Sequence, residues 1–395
     1  QQSRKWEFRV YADSETLLSQ QENKYAVFLG RLRAKMKHVY VDAMEDADAG
    51  VMADMALGEK SLLDPEMKAL YQDAGISHIL AISGLHVSIL GMGVLSLLQR
   101  LGCRRKWSAI LAAAIVCSFC IFSGMEVSTV RAVGMFLLMM AAQVLGRSYD
   151  SLTALCASAA VQLWDNPFLP EYAGFLFSYG AVLGVVVVWK IIWKAKEGQE
   201  KERRKKETKR RREERRERGG LQRVWRKICD IICVSACIQL STLPLTLYFY
   251  YEVPVYGVFV NACILPFLGI LLFLGFAGGL LGILFPALGA AILTPAGWLL
   301  AFNEAVCAMA GKLPCANFVA GKPPVEMLLA YYSVLGVCLY LIWRRGKTCY
   351  FWGIVLMLAC LLFARGNTRF EVDVLDVGQG DGILVQNENG EHFFV

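Results

Sequence analysis

Residues 78–90 read HILAISGLHVSIL, a run apolar enough for a bilayer that nevertheless holds two histidines, two serines and a glycine. The fold turns on whether this is a membrane helix with a polar interruption or a core helix of a soluble domain. The rest of the chain decides for the membrane. Of the 395 residues 56% are hydrophobic and the mean hydropathy is +0.44, more apolar surface than a soluble domain of this length would bury. Charged residues make up 19% of the chain and gather in loops and in the first third, so the net charge of +7 means little until it is located.

Apolar runs recur at 78–99, 107–124, 127–145, 151–164, 173–193, 228–250, 256–285, 288–311, 325–343 and 350–364. A straight crossing takes about 20 residues at roughly 1.5 Å each. The runs at 151–164 and 350–364 are therefore short. The run at 255–284 is too long for one straight crossing, and with Asn261, Pro266 and several glycines it predicts a bent or broken helix. The fold class is an all-α polytopic membrane protein of about ten transmembrane helices.

Ahead of the spans, residues 6–11 (WEFRVY) alternate large apolar with charged residues, as a half-buried strand does, and read as a β remnant. From 23 to 70 the pattern is helical and amphipathic, with breaks at Gly58 and Pro65. In KSLLDPEMKALYQDAG, Asp64 and Pro65 stand as N-cap and first helical residue, and Gly75 as a stop. Gln1 in place of Met and Val395 in mid-pattern make the chain read as a fragment, and no signal peptide precedes the first span. The 13 cysteines lie mostly within apolar runs with no histidine close enough to complete a zinc site, so they read as small packing residues.

Loop charge sets the orientation. Arg104, Arg105 and Lys106 follow the first span, Arg147 the third, and Arg344, Arg345 and Lys347 the ninth. After the fifth comes 194–218, with 14 Lys or Arg against 7 Glu, an excess equal to the net charge of the whole chain. Under the positive-inside rule all four loops are cytoplasmic, and both termini lie outside. The pairs Glu200–Arg204, Glu207–Arg211 and Glu214–Arg218 let the basic loop be a solvated helix prolonging the fifth span; contact with nucleic acid or anionic lipid is the alternative.

Polar groups inside spans carry the functional reading. Arg131 should face protein or water, or else snorkel to the outer interface. Gln239, Ser241 and Thr242 precede Pro244, and Asn261 precedes Pro266; such breaks are tolerated where they line a cavity. Singly, each is better explained as helix–helix glue; several together, in four different spans, favour an aqueous path. His78 and His86 would lie about 80° apart on a regular helix, with Ser83-Gly84 a natural break between them. A broken helix offers amides, hydroxyls and neutral imidazoles that touch a polar solute weakly. The plainer alternative places His78 at the outer interface and bonds His86 to a neighbouring helix.

HILAISGLHVSIL resembles the signature of the ComEC competence proteins, membrane channels for DNA uptake in bacterial transformation. ALGEKSLLDPEMKALYQDAGISHILAISGLHV, SGMEVSTVRAVGM, GRSYDSLTALCASAAVQLWDNPF and QLSTLPLTLYFYYEVPVYGVFVNACILPF are similar to family blocks in the same order. FEVDVLDVGQGDGILVQ is similar to the first strands of the family's metallo-β-lactamase-like domain. The likeness covers about Met52 to Val395. One departure is GFLFSYGAV at 174–182, where Leu176 replaces a usual glutamine.

The resemblance implies 1–22 as the end of an external OB-like domain, 23–77 as a lead-in, 78–364 as the channel with a cytoplasmic loop at 194–227, and 365–395 as the start of a truncated metallo-β-lactamase-like domain. It implies a bacterial cytoplasmic-membrane location and single-stranded DNA as partner. An external DNA receptor and an ATP-driven, helicase-like motor inside are implied too, and self-association is left open. The DNA-pathway candidates are His78, Ser83, Gly84, His86, Ser128, Arg131, Gln239, Asn261 and Pro266.

No catalytic or metal-binding residue is assigned. A nuclease of this kind holds its metals through a His-x-His-x-Asp-His cluster beyond the first strands, and His392 alone cannot hold one. A divalent metal belongs to the expectation for a longer parent, not for these residues. Nor is there a nucleotide-binding loop, since Gly311-Lys312, Gly321-Lys322 and Gly346-Lys347 lack the upstream glycine or the Ser/Thr. Two other classes compete with a conduit. An anchor for an external metallohydrolase would have featureless spans. A transporter of a small polar solute would show acidic residues or repeats at mid-membrane.

Overall fold

The computed structural model describes residues 24–195, 197–198, 221–319, 323–345 and 353, together with strands 371–375, 382–386 and 392–394. The expected strand at 6–11, most of the basic loop and the apolar run at 350–364 lie outside the described residues. What is described is predominantly helical. α1 (Lys24–Ala43), α2 (Asp46–Leu57), α3 (Pro65–Asp73) and the single turn α4 (Ser77–Leu80) precede α5 (Gly84–Arg100), α6 (Arg105–Phe122), α7 (Val127–Leu145), α8 (Ser151–Asp165) and α9 (Ala173–Leu183). α9 continues through a π-helical stretch, Gly184–Trp189. Then follow α10 (Leu221–Tyr250), β1 (Glu252–Pro254), α11 (Gly257–Gly282), α12 (Pro286–Gly311), β2 (Asn317–Val319) and α13 (Val325–Arg345).

Seven of these helices are long and apolar enough to cross a membrane. α5, with 17 residues, and α8, with 15, coincide with expected spans but fall short of that length. Large apolar side chains stand exposed on the long helices, Trp107, Phe273, Trp298 and Trp343 among them. In water such a surface would drive association; against lipid it is the expected face. The protein is a multi-pass membrane protein.

The described residues fall into two compact units. The first holds α1 to α9, the beginning of α10, α11 and α12. Its core runs through α1 to α7, α11 and α12. Because lipid tails are as apolar as leucine, such helices are held by close backbone approach and by polar contacts. α11 and α12 show this where Gly282 and Gly289 meet: a Cβ on Gly289 would run into the Cα of Gly282. Tyr40 of α1 adds a buried bond, its hydroxyl donating to the carbonyl of Gly275 at 3.0 Å.

Several expected boundaries hold. Asp64 caps α3, accepting from the Glu66 amide at 3.1 Å with Pro65 first in the helix, and Gly75 stops it at φ 74°. Others change. The lead-in is not amphipathic throughout, because Ala49 to Leu57 of α2 is buried on every side. α11 is not broken: Pro266 sits inside one continuous 26-residue helix, having removed a single backbone donor. The break expected at Ser83-Gly84 is there: the chain leaves helical geometry at Ala81 and restarts at Gly84.

The second unit holds the end of α10, α13 and a three-stranded antiparallel sheet, β3 (Glu371–Leu375), β4 (Gly382–Gln386) and β5 (His392–Phe394). Val372 pairs with Val385 and Leu384 with Phe394. Residues 376–381, between the paired strands β3 and β4, lie outside the described residues.

Candidate functional site

Ser83 starts α5. Its hydroxyl oxygen accepts from the Leu85 amide at 3.3 Å, and its own amide donates to Nδ1 of His86 at 3.2 Å. Each end of this capping box satisfies a group that would otherwise be stranded at the helix start. An N–H can only donate, so Nδ1 accepts, and the proton of the neutral ring sits on Nε2. His86 is 2% exposed, and that Nε2 has no partner among the described residues.

α7 supplies the cation. Arg131 is 4% exposed and faces protein, which settles the choice between burial and snorkelling. Its Nε donates to the Ser178 hydroxyl at 2.9 Å, and the guanidinium lies 5.7 Å from the centre of the Tyr179 ring. Its Nη2 lies 3.1 Å from where a Cβ on Gly84 would stand, so the guanidinium and the start of α5 converge. One turn earlier the Ser128 hydroxyl donates to the Ile82 carbonyl at 2.7 Å, tying α7 to the link between α4 and α5.

α8 and α9 brace this arrangement. The Tyr179 hydroxyl bridges Ser158 at 3.3 Å and Oε1 of Gln162 at 3.1 Å. Gln162 donates in turn to the Val127 carbonyl at 3.1 Å. Apolar packing of Leu155, Leu169 and Phe175 surrounds Tyr179.

The balance of charge is uneven. Glu126, the acid nearest Arg131 in sequence, is paired with Lys60 at 2.6 Å. No ion pair includes Arg131 among the described residues. An arginine at a span centre costs about 2.5–3.5 kcal/mol on insertion scales, an upper bound for Arg131 one turn into α7, and the face of Tyr179 returns roughly 0.5–2 kcal/mol. The positive end of the α5 dipole adds to the same side. The site as folded suits an anion.

Five candidates thus come together: Ser83, Gly84, His86, Ser128 and Arg131. His78 is exposed on α4 and not in register with His86 on one helix. Gln239 donates to the Pro254 carbonyl at 3.3 Å, a bond from α10 to the end of β1. Asn261 keeps an unpartnered buried Oδ1 on α11, one turn before Pro266. No hydrogen bond among the described residues joins these three to the Arg131 network, though His78 lies close enough to His86 to act on it electrostatically. Ser158, Gln162, Ser178 and Tyr179 do belong to it and were not singled out by sequence. Ser158 and Gln162 could have been, as a polar i,i+4 pair in an apolar run. Among the described residues no three His, Cys, Asp or Glu gather to hold a metal ion.

The Competence protein family matches residues 55–345. ComE operon protein 3 of Bacillus subtilis (strain 168) is 25% identical over 346 residues, 85% of this chain and 40% of its own length. Competence protein ComA of Neisseria gonorrhoeae is 26% identical over 384 residues, covering 93% of this chain and 49% of the relative. Recombination protein 2 of Haemophilus influenzae is 26% identical over 148 residues, 35% of this chain and 18% of the relative. The chain spans half the length or less of each of these curated relatives. No solved structure matches it.

Proposed function

We propose, from the premise that this chain belongs to the Competence protein family, that its helical core is a conduit for single-stranded DNA across the bacterial cytoplasmic membrane. The start of α5 is then a point where the strand's phosphates are met. One observation carries this reading: Arg131 is a buried cation with no carboxylate partner among the described residues, and it converges on the positive end of α5. A passing phosphodiester would offset the charge. The other groups there, Ser83, His86 and Tyr179, are neutral. Conduction needs contacts favourable enough to enter and weak enough to leave, and one cation among neutral donors meets both conditions.

In the same reading, both termini are external and loop 194–227 is cytoplasmic. Residues 1–22 end an OB-like domain suited to single strands, and 365–395 begin a metallo-β-lactamase-like domain. The conduit is passive, with a receptor outside and an ATP-driven motor inside.

The test is uptake of labelled DNA by cells lacking their own channel, complemented with the full-length gene that encodes this chain. Arg131→Gln should lower uptake about tenfold or more, with membrane abundance unchanged; Arg131→Lys, which keeps the charge but not the fork, should lower it less. Uptake at the unsubstituted level in Arg131→Gln would remove the phosphate contact from the pathway.

A further inference from the structure

At the other end of α5, the turn into α6 borders a crevice of about 450 Å³ lined by Met92, Leu95, Gln99, Cys103, Arg105 and Gln143. The volume falls in the range of small-molecule sites, roughly 300–1,000 Å³. The lining is graded. Met92 and Leu95 lie one to two turns below Gln99 on α5 and are apolar; Gln99, Gln143 and Arg105 form a rim of hydrogen-bond donors. Nε2 of Gln143 is buried with no hydrogen-bond partner among the described residues, an arrangement that costs free energy unless an acceptor arrives.

Charge and depth narrow the acceptor. Residues 99–108 read QRLGCRRKWS, four cations and no acid. Arg105 is the first residue of α6, exposed, and in no ion pair among the described residues. The first-turn amides of that 18-residue helix have no intrahelical acceptors, which adds donors beside it. Trp107, 66% exposed, stands two residues on, where aromatic side chains mark headgroup depth.

We infer that this crevice binds the phosphate of an anionic glycerophospholipid, with Arg105, Gln99 and Gln143 on the phosphodiester and the glycerol end of an acyl chain along Met92 and Leu95. Basic pockets between transmembrane helices take lipid headgroups in this way. The apolar floor separates a lipid from free phosphate or a nucleic-acid backbone, which would leave Met92 and Leu95 uncovered. The site lies at the end of α5 remote from Ser83 and does not depend on the DNA reading.

Cys103, exposed in the lining, is a built-in reporter. The purified 395-residue chain would be placed in phosphatidylcholine nanodiscs with or without phosphatidylglycerol. Alkylation of Cys103 would be followed by peptide mass spectrometry, with exposed Cys315 as the internal control. Phosphatidylglycerol should slow alkylation of Cys103 but not of Cys315, and soluble glycerol phosphate should not. In Arg105→Gln/Gln143→Leu the protection should weaken by about tenfold in lipid concentration. Gel filtration shows whether that variant folds, and Arg105→Gln alone, at an exposed position, serves in its place if it does not. Equal alkylation with and without phosphatidylglycerol, equal protection by glycerol phosphate, or full protection in the variant would each overturn the assignment.

Discussion

At Gly84 a side chain has almost no room. A Cβ there would stand 3.1 Å from Nη2 of Arg131 and 3.6 Å from Cβ of Ala132. Sequence reasoning gives Gly84 an unusual dihedral or a close approach, and only the second applies: Gly84 is absent from the positive-φ residues and is simply the first residue of α5. Arg131 cannot move away freely, because Ser178 and Tyr179 hold it. Gly84→Ala should therefore lower transformation in part, and Gly84→Val should abolish it with membrane abundance near normal. His86→Ala should lower it severely, since loss of Nδ1 strands the Ser83 amide, whereas His78→Ala on exposed α4 should matter less. Transformant counts beside immunoblots of membranes measure both. Normal transformation by Gly84→Val, or failure only through loss of the protein, would make this a packing position. The break at Ser83-Gly84 was legible because Ser and Gly mark helix boundaries locally, whereas the capping bond itself was not read. The Arg131–Ser178 bond joins residues 47 apart, and no local signal specifies it.

Among the elements, α2 was read least well, and the reason is tertiary. DADAGVMADMAL carries three acids and looks half-exposed, yet α1, α4, α11 and α12 surround it. At 12 residues, about 18 Å, it is too short to cross a bilayer, so its polar groups are buried by protein. Asp54 bears the consequence: it is 2% exposed and its Oδ1 has no partner among the described residues. Burial pushes its carboxyl up from 3.8 to about 6; Glu126 and Glu59 push the same way, while Lys60 and Lys68 oppose. A raised carboxyl pKa means the folded state prefers the protonated form. The associated stability is present below about pH 4 and is lost as pH rises through about 6. Asp54→Asn should therefore melt higher than the unsubstituted protein at pH 8, by about 3 kcal/mol at most, and equally at pH 4. Melting curves of the detergent-purified protein across that range decide it. An offset that does not vary with pH would mean that the ionisation of Asp54 is not what α2 accommodates. The caps of α3, by contrast, were legible to the residue, because Asp-Pro and Gly act through their own backbone.

For the whole molecule the issue is parity. Nine of the ten expected spans have a described helix at their place, but α5 and α8 would reach only about 26 Å and 22 Å, against a hydrocarbon core of about 30 Å. Were α8 to stop short while the others crossed, Arg147 and the basic run at 194–218 would lie on opposite sides of the membrane. Were α5 to stop short, every basic loop would still share one face, and the lead-in alone would move, to the cytoplasmic side with them. Positive charge sits after the first, third, fifth and ninth spans, and only with α8 crossing does all of it share one side. Local thinning and snorkelling cost fractions of a kcal/mol per ångström of mismatch, less than placing a run of net +7 on the wrong face. α8 should therefore cross, and the side of the N-terminus reports whether α5 does. A reporter active only in the cytoplasm should work when fused within 198–220 or after Arg147, and fail at the N-terminus, within 166–172, or after Arg365. Activity at 166–172 together with silence at 198–220 would show α8 to be re-entrant. Activity at the N-terminus together with activity at 198–220 would show α5 to stop short, and activity after Arg365 would overturn the ten-span count.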